Sequence, residues 1–148
     1  MDNKVEIRNK KAAFEYYLVD EFTAGPVLTG TEIKSIRDGK ASLVDSYCTL
    51  KDGELYVINM HIAEYRYGTH YNHNPKRDRK LLLSKQEIRK IRTKIEERGF
   101  TVIPTLLFIN EKGLAKIIIA IAKGKKLYDK RQTIKTKDIK RERERGEE

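Results

Sequence analysis

Leu43-Val44-Asp45-Ser46-Tyr47-Cys48-Thr49-Leu50-Lys51, then Asp52-Gly53, then Glu54-Leu55-Tyr56-Val57-Ile58-Asn59-Met60, carries the strongest hairpin signal in the chain. Asp-Gly between two runs of β-formers reads as a two-residue turn joining antiparallel strands. Working outward, Phe14–Phe22 is rich in β-formers and reads as another strand. Ala24-Gly25-Pro26 is expected to turn the chain, with Val27-Leu28 extended beyond it. Downstream, Phe100–Asn110 and Leu114–Ala122 read as two more strands, turned at Glu111-Lys112-Gly113. Two helices interrupt the strands. Thr31–Asp38 is expected to be capped by Thr31 and closed by Gly39, with Glu32 at the positive end of its dipole. Ser84-Lys85-Gln86-Glu87 is a capping box, Ile88, Ile91 and Ile95 follow at helical spacing, and Gly99 ends the run. About six strands without βαβ alternation suit a small antiparallel OB-like barrel, mainly β with flanking helices.

The charge is unevenly spread. The chain of 148 residues carries a net +10, with a pI near 9.6 and a mean hydropathy of -0.68. A net of +7 falls between Lys123 and Arg145, where apolar patterning stops. The expected division is therefore a body over 1–122 and a basic tail over 123–148, the tail disordered or helix-forming. Such a balance favours a polyanionic partner, nucleic acid ahead of membrane. No apolar run reaches membrane-spanning length, no secretory leader is read at Met1–Lys11, and a cytoplasmic location is the default. A lone cysteine, Cys48, excludes an intramolecular disulfide and a cysteine-rich zinc site.

Several stretches weigh toward RNA. Lys34 and Arg37 share a helix face at i,i+3, and Lys40 follows. Alone this is a solvated face; beside the cluster Lys76-Arg77-Asp78-Arg79-Lys80 it becomes an RNA-backbone surface. Gly30–Lys40 lacks the ending of a phosphate-binding P-loop. Tyr16, Tyr17, Tyr47, Tyr65, Tyr67 and Tyr71 can stack on bases or fill core and rim. His70 and His73 raise a metal reading against that of plain loop histidines; they have no companion cysteine or carboxylate pair, and no metal or cofactor is expected. Asp45-Ser46-Tyr47 suggests hydrolysis only with a histidine base nearby, and otherwise base or sugar contacts. No arrangement compels catalysis. The tail reads either as a solubilising terminus or as a segment that folds on RNA, and its Lys/Arg content favours the second.

Five stretches in this order resemble the SmpB family, which binds transfer-messenger RNA in bacterial trans-translation. They are Asn9–Ala12, Gly30–Lys40, Asp45–Tyr47, Asn72–Leu83 and Gly124–Arg131. The resemblance implies an OB-like barrel that binds the tRNA-like domain of that RNA, charged with alanine and carried by elongation factor Tu. It implies delivery to ribosomes stalled on messages lacking a stop codon, the tail probing the small-subunit decoding site and the empty message channel. Glu32, Lys34, Ser35, Arg37 and Lys40 would lie on the RNA-binding face, joined by Lys10, Lys11, Asp45, Ser46, Tyr47, Arg77, Arg79 and Lys80. Gly124, Lys125, Lys126, Tyr128, Asp129, Lys130 and Arg131 would form the ribosome-probing tail. A non-enzymatic, monomeric adaptor is the expectation. Its rivals are a generic OB-fold binder of single-stranded RNA and a metal-dependent nuclease using His70, His73 and Asp45.

Overall fold

The computed structural model describes residues 5–68 and 72–125. In chain order the elements are β1 (Glu6–Arg8), α1 (Ala12–Glu15), β2 (Tyr16–Pro26), α2 (Gly30–Arg37), β3 (Ala41–Ser42), β4 (Tyr47–Lys51), β5 (Glu54–Ile58), β6 (His61–Ile62), β7 (Arg79–Leu82), α3 (Lys85–Ile95), β8 (Phe100–Ile109) and β9 (Ala115–Gly124). Strands β8-β4-β5-β7-β2-β9 pair in that sequence, and β9 pairs back onto β8, so the sheet closes into an antiparallel barrel. Closure removes the free edges of an open sheet. β1 adds to β8 outside the ring, and β3 pairs with β6 in a separate two-stranded piece. The expected OB-like barrel is the observed one.

Asp52 and Gly53 take φ of 52° and 78°, and Lys51 pairs with Glu54 across them. Two positive values of φ make the twist of the turn match that of the strands it joins. Leu43–Ser46, expected to begin the hairpin, instead turns, because Asp45 has φ 62° and the Ser46 Oγ donates to the Leu43 carbonyl at 2.6 Å. Ala24-Gly25-Pro26 does not turn either. β2 pairs with β9 through Ala24, then with β7 at Gly25 and Pro26. Proline lacks the N–H that a ladder needs, so it sits where the strand ends and changes partner.

Bulges between Leu18 and Asp20, and between Pro104 and Leu106, bend the two longest neighbours of β9. At the second bulge the Asn9 side chain donates to the Pro104 carbonyl, and the Asn9 N–H to Thr105. That fixes the basic arm to the barrel and launches α1, a helix the β-rich composition of Phe14–Phe22 concealed. β9 runs two residues past the boundary expected after Ala122, with Gly124 opposite Tyr16. No helix among the described residues is long and apolar enough to cross a membrane.

Inward-facing residues of the ring make one core, including Leu55, Val57, Leu81, Val102, Leu107, Ile117 and Ile119, all at 0% exposure. Cys48 lies in it, and burial pushes its thiol well above the ordinary range. Helix α3 lays Ile91 and Ile95 onto this core and buries Ile88, with its Ser84/Glu87 capping box formed as the sequence predicts. Leu81→Ala is expected to cost about 2–5 kcal/mol through the transfer loss and the cavity left, read as a lower urea midpoint at unchanged slope.

Candidate nucleic-acid interface

Helix α2 begins with a capping box, but Thr29, not Thr31, is its cap: the Thr29 Oγ1 accepts from the Glu32 N–H, and Glu32 Oε1 from the Thr29 N–H. The Thr31 hydroxyl is directed elsewhere, to His73 Nδ1 at 2.9 Å. His73 Nε2 lies 2.9 Å from the Ile62 carbonyl, which only accepts, so Nε2 donates there. A buried histidine thus ties α2 to β6. Neither the metal nor the plain-loop reading of His73 describes it, and His70 lies outside the described residues. Among the described residues, no group of three or more His, Cys, Asp or Glu is placed to hold a metal ion.

Beneath α2 sits a buried ion cluster. Glu32 and Arg79 are both at 0% exposure, and Arg79 Nε donates to Glu32 Oε2 at 2.6 Å. The remaining Arg79 donors meet backbone: Nη1 the Met60 carbonyl at 2.7 Å, and Nη2 those of Asn74 and Pro75 at 3.4 and 3.1 Å. Arg77 grips the same carboxylate with Nε and Nη2, at 3.2 and 2.7 Å. Burial alone would push the Glu32 carboxyl up. Hydrogen bonds from Arg77, Thr29 and Arg79, with the charge of Arg79, overcome this and hold it at about 2. Burial lowers the pKa of Arg79 and outweighs the effect of its carboxylate partner, whereas the bond to Glu32 raises that of Arg77.

The expected RNA-binding residues differ in exposure: Glu32, Ser35, Ser46 and Arg79 are buried, at 0%, 1%, 5% and 0% exposure. The cluster Lys76–Lys80 is no open cationic patch: Arg77 and Arg79 serve Glu32, Asp78 bonds Lys51 at 2.8 Å, and Lys80 lies 3.7 Å from Glu54. Charge density in the sequence did not reveal that acids from two other segments, Glu32 and Glu54, pair with Arg77, Arg79 and Lys80.

What α2 turns outward is Lys34 and Arg37, with Lys40 exposed just beyond. The Arg37 Nη2 donates to the Gly113 carbonyl at 3.3 Å, and Lys34 Nζ stands 5.6 Å from the Tyr65 ring. Tyr65 is held by Asn72, whose side chain accepts from the Tyr65 N–H at 3.1 Å and donates to its carbonyl at 2.8 Å. Tyr65 meets Tyr67 edge-on, and the Arg66 guanidinium covers the Tyr67 ring at 4.9 Å. A cleft of about 480 Å³ lies among Ser35, Lys40, Tyr65 and Arg66. Cations and rings together offer phosphate contacts and stacking surfaces. Arg66 and Tyr67 escaped sequence reasoning as a unit because they belong to no periodic element.

A second cleft, about 360 Å³, joins three stretches far apart in the chain: Asn9, Lys11 and Tyr16, then Asp45 and Tyr47, then Thr101. Lys10 and Lys11 are exposed, and Tyr47 is 45% exposed. Of the expected tail residues, Gly124 ends β9, and Lys125 donates to the Ala13 carbonyl at 2.8 Å with its Nζ 5.0 Å from the Tyr17 ring. Lys126, Tyr128, Asp129, Lys130 and Arg131 lie outside the described residues, as does the expectation of a disordered or helix-forming tail.

Fold and surface define the class: an OB-like barrel that offers cations and tyrosines to a polyanion. A profile of the SmpB protein family matches residues 6–148. The chain is 62% identical to an SsrA-binding protein of Parabacteroides distasonis, over 99% of this chain and 95% of that one. It is also 62% identical to the SsrA-binding protein of Bacteroides thetaiotaomicron, over 93% of this chain and 92% of the relative. A solved structure described as "tmRNA-SmpB: a journey to the center of the bacterial ribosome" superposes with a TM-score of 0.70 at 40% identity. The match covers 82% of this chain and 85% of that chain. The chain belongs to the SmpB family, whose members are RNA-binding proteins and not enzymes.

Glu32→Gln leaves Arg79 buried without its counter-charge, and the expected cost is about 3–5 kcal/mol in chemical denaturation at neutral pH. Because the folded carboxyl lies at about 2 against an ordinary 4.5, its contribution is present above pH 4.5 and lost as pH falls toward 2. The stability difference between parent and Glu32→Gln should therefore narrow across that interval; a gap independent of pH would contradict the assignment.

Proposed function

We propose that this protein is a non-enzymatic RNA-binding adaptor of ribosome rescue. Its body holds the tRNA-like domain of transfer-messenger RNA and delivers it to ribosomes stalled on messages without a stop codon. The observation that carries this reading is the exposed row Lys34, Arg37 and Lys40, set beside Tyr65-Arg66-Tyr67 on a helix fixed by a buried ion cluster. Names of relatives point the same way: they are SsrA-binding proteins, and the solved neighbour joins SmpB to transfer-messenger RNA and the ribosome.

In this reading Lys34, Arg37 and Lys40, with Lys10, Lys11 and Tyr47 at the second cleft, contact RNA. Glu32, Ser35, Asp45, Ser46, Arg77, Arg79 and Lys80 hold those groups in place. The RNA arrives charged with alanine and accompanied by elongation factor Tu, the protein acting as a cytoplasmic monomer. The basic segment after the barrel, beginning at Gly124-Lys125 and including Lys126, Tyr128, Asp129, Lys130 and Arg131, probes the decoding site and the vacant message channel. A folded surface selects one RNA by shape, whereas a cationic segment tests whether a channel lined with RNA is already occupied. A generic single-strand binder would depend on total charge instead.

Lys34→Ala/Arg37→Ala should weaken binding to the tRNA-like domain and flatten its salt slope by roughly 1–2. A chain ending at Lys125, which keeps β9 whole, should bind that RNA like the parent yet fail to support tagging on stalled ribosomes. Loss of binding in step with the removed charge would instead favour the generic binder.

A further inference from the structure

We propose that the exposed surface of α1 and the start of β2 is a docking site for this chain's own basic segment, residues 126–141, which lies there while the protein is free of RNA. The proposal does not rest on the functional reading above. Phe14 is 81% exposed and Val19 53%, with Tyr17 and Leu18 also exposed between them. The bulge between Leu18 and Asp20 leaves Val19 without a partner in the β9 ladder. Large apolar side chains gathered in this way at a surface mark a place where something binds. Beside them Glu15, Asp20 and Glu21 are exposed as well. Among the described residues no ion pair engages any of the three.

The charge of this surface is opposite to that of the chain. Ala12–Ile33 holds no Lys or Arg, the longest such run in a sequence that has 32 of them. Three exposed carboxylates repel a polyanion, so RNA is not the occupant that fits. A second copy of the chain would bring its own three acids against these across a twofold axis. The fitting occupant is cationic and carries apolar side chains of its own. Residues 126–141 hold seven Lys or Arg against two acids, with Leu127, Tyr128, Ile134 and Ile139 among them.

The path of the chain supplies the link. β9 runs antiparallel to β2, with Lys123 opposite Tyr17 and Gly124 opposite Tyr16, so the chain leaves the barrel beside α1. Lys125 then turns back onto this surface. Its Nζ donates to the Ala13 carbonyl at 2.8 Å and stands 5.0 Å from the Tyr17 ring. The docking continues a contact that Lys125 has already begun, and residue 126 starts at the patch with no loop to close. Exposed ion pairs contribute little each, so a denser array of phosphates displaces the carboxylates from the same cations. The surface therefore holds the segment back in the free protein and yields it to a polyanion.

The test uses the full chain with Thr133→Cys carrying a nitroxide label, read by nuclear magnetic resonance. Cys48 is buried and its thiol is pushed well above the ordinary range, so it escapes the labelling reagent. The label is expected to erase the amide signals of Phe14–Glu21. Those of Lys34–Arg37 should persist, because Arg37 reaches Gly113 in the turn at the far end of the β8–β9 pair. Glu15→Gln/Asp20→Asn/Glu21→Gln should bring the lost signals back, and so should polyuridylic acid added to the parent. Equal broadening at both ends of the barrel, or broadening that the triple substitution leaves in place, would overturn the proposal. So would broadening passed from labelled chains to unlabelled ones in a mixture, since the occupant would then be a second copy. Broadening that survives saturation with polyuridylic acid would contradict the release to phosphates.

Discussion

Glu32 is a carboxylate with no access to water, and the arrangement of the RNA-facing surface depends on its being paid back in hydrogen bonds. A buried charge of this kind is tolerated only when opposite charge and donors surround it. Four donors do so here: Arg79 Nε, Arg77 Nε and Nη2, and the Thr29 N–H. Each comes from a different part of the chain or ties one to another. Thr29 sets where α2 starts, Arg79 sets where β7 starts, and Arg77 closes the loop between β6 and β7. The carbonyls of Met60, Asn74 and Pro75 then receive the rest of Arg79. This cluster ties α2, which carries Lys34 and Arg37, to β7 and the loop before it.

The protein therefore sorts its cations into two kinds. Those near the cluster are consumed internally, where they stabilise shape; Lys34 and Arg37, on the outer face of α2, have no carboxylate partner among the described residues. Net charge does not distinguish the two, because Arg79 and Arg89 count equally toward +10. Their surroundings do: Arg79 is fully buried against Glu32, whereas Arg89 is exposed. Long-range attraction and non-specific affinity follow the total charge, but a directed interface follows only the second kind.

Much of the barrel was legible in the sequence, because local chemistry and final structure agree there. Asp52-Gly53 forces a hairpin turn, Ser84 and Glu87 cap α3, and Ile88 and Ile91 are buried at their helical spacing. The misreadings arose where tertiary context prevailed. Gly25-Pro26 resembled a turn, yet it marks the point at which β2 exchanges β9 for β7. Thr31 and Thr29 are both competent caps, and His73 decides between them by engaging the Thr31 hydroxyl. For the site, Lys34 and Arg37 were readable because helical spacing alone brings them together, and Lys40 follows the helix directly in the chain. Arg77 and Arg79 were not, since their partner lies 45 and 47 residues away. The cleft joining Lys11 to Tyr47 was equally hidden, being made only when the N-terminal arm docks on the bulge of β8.

The central claim is that Glu32 acts by holding α2 in place. Amide hydrogen exchange on Glu32→Gln without RNA tests it most directly. The account predicts faster exchange across Gly30–Arg37 and the 72–80 segment, while the paired amides of β8 and β9 keep their protection. Unaltered protection of α2, or uniform loss across the barrel, would contradict it.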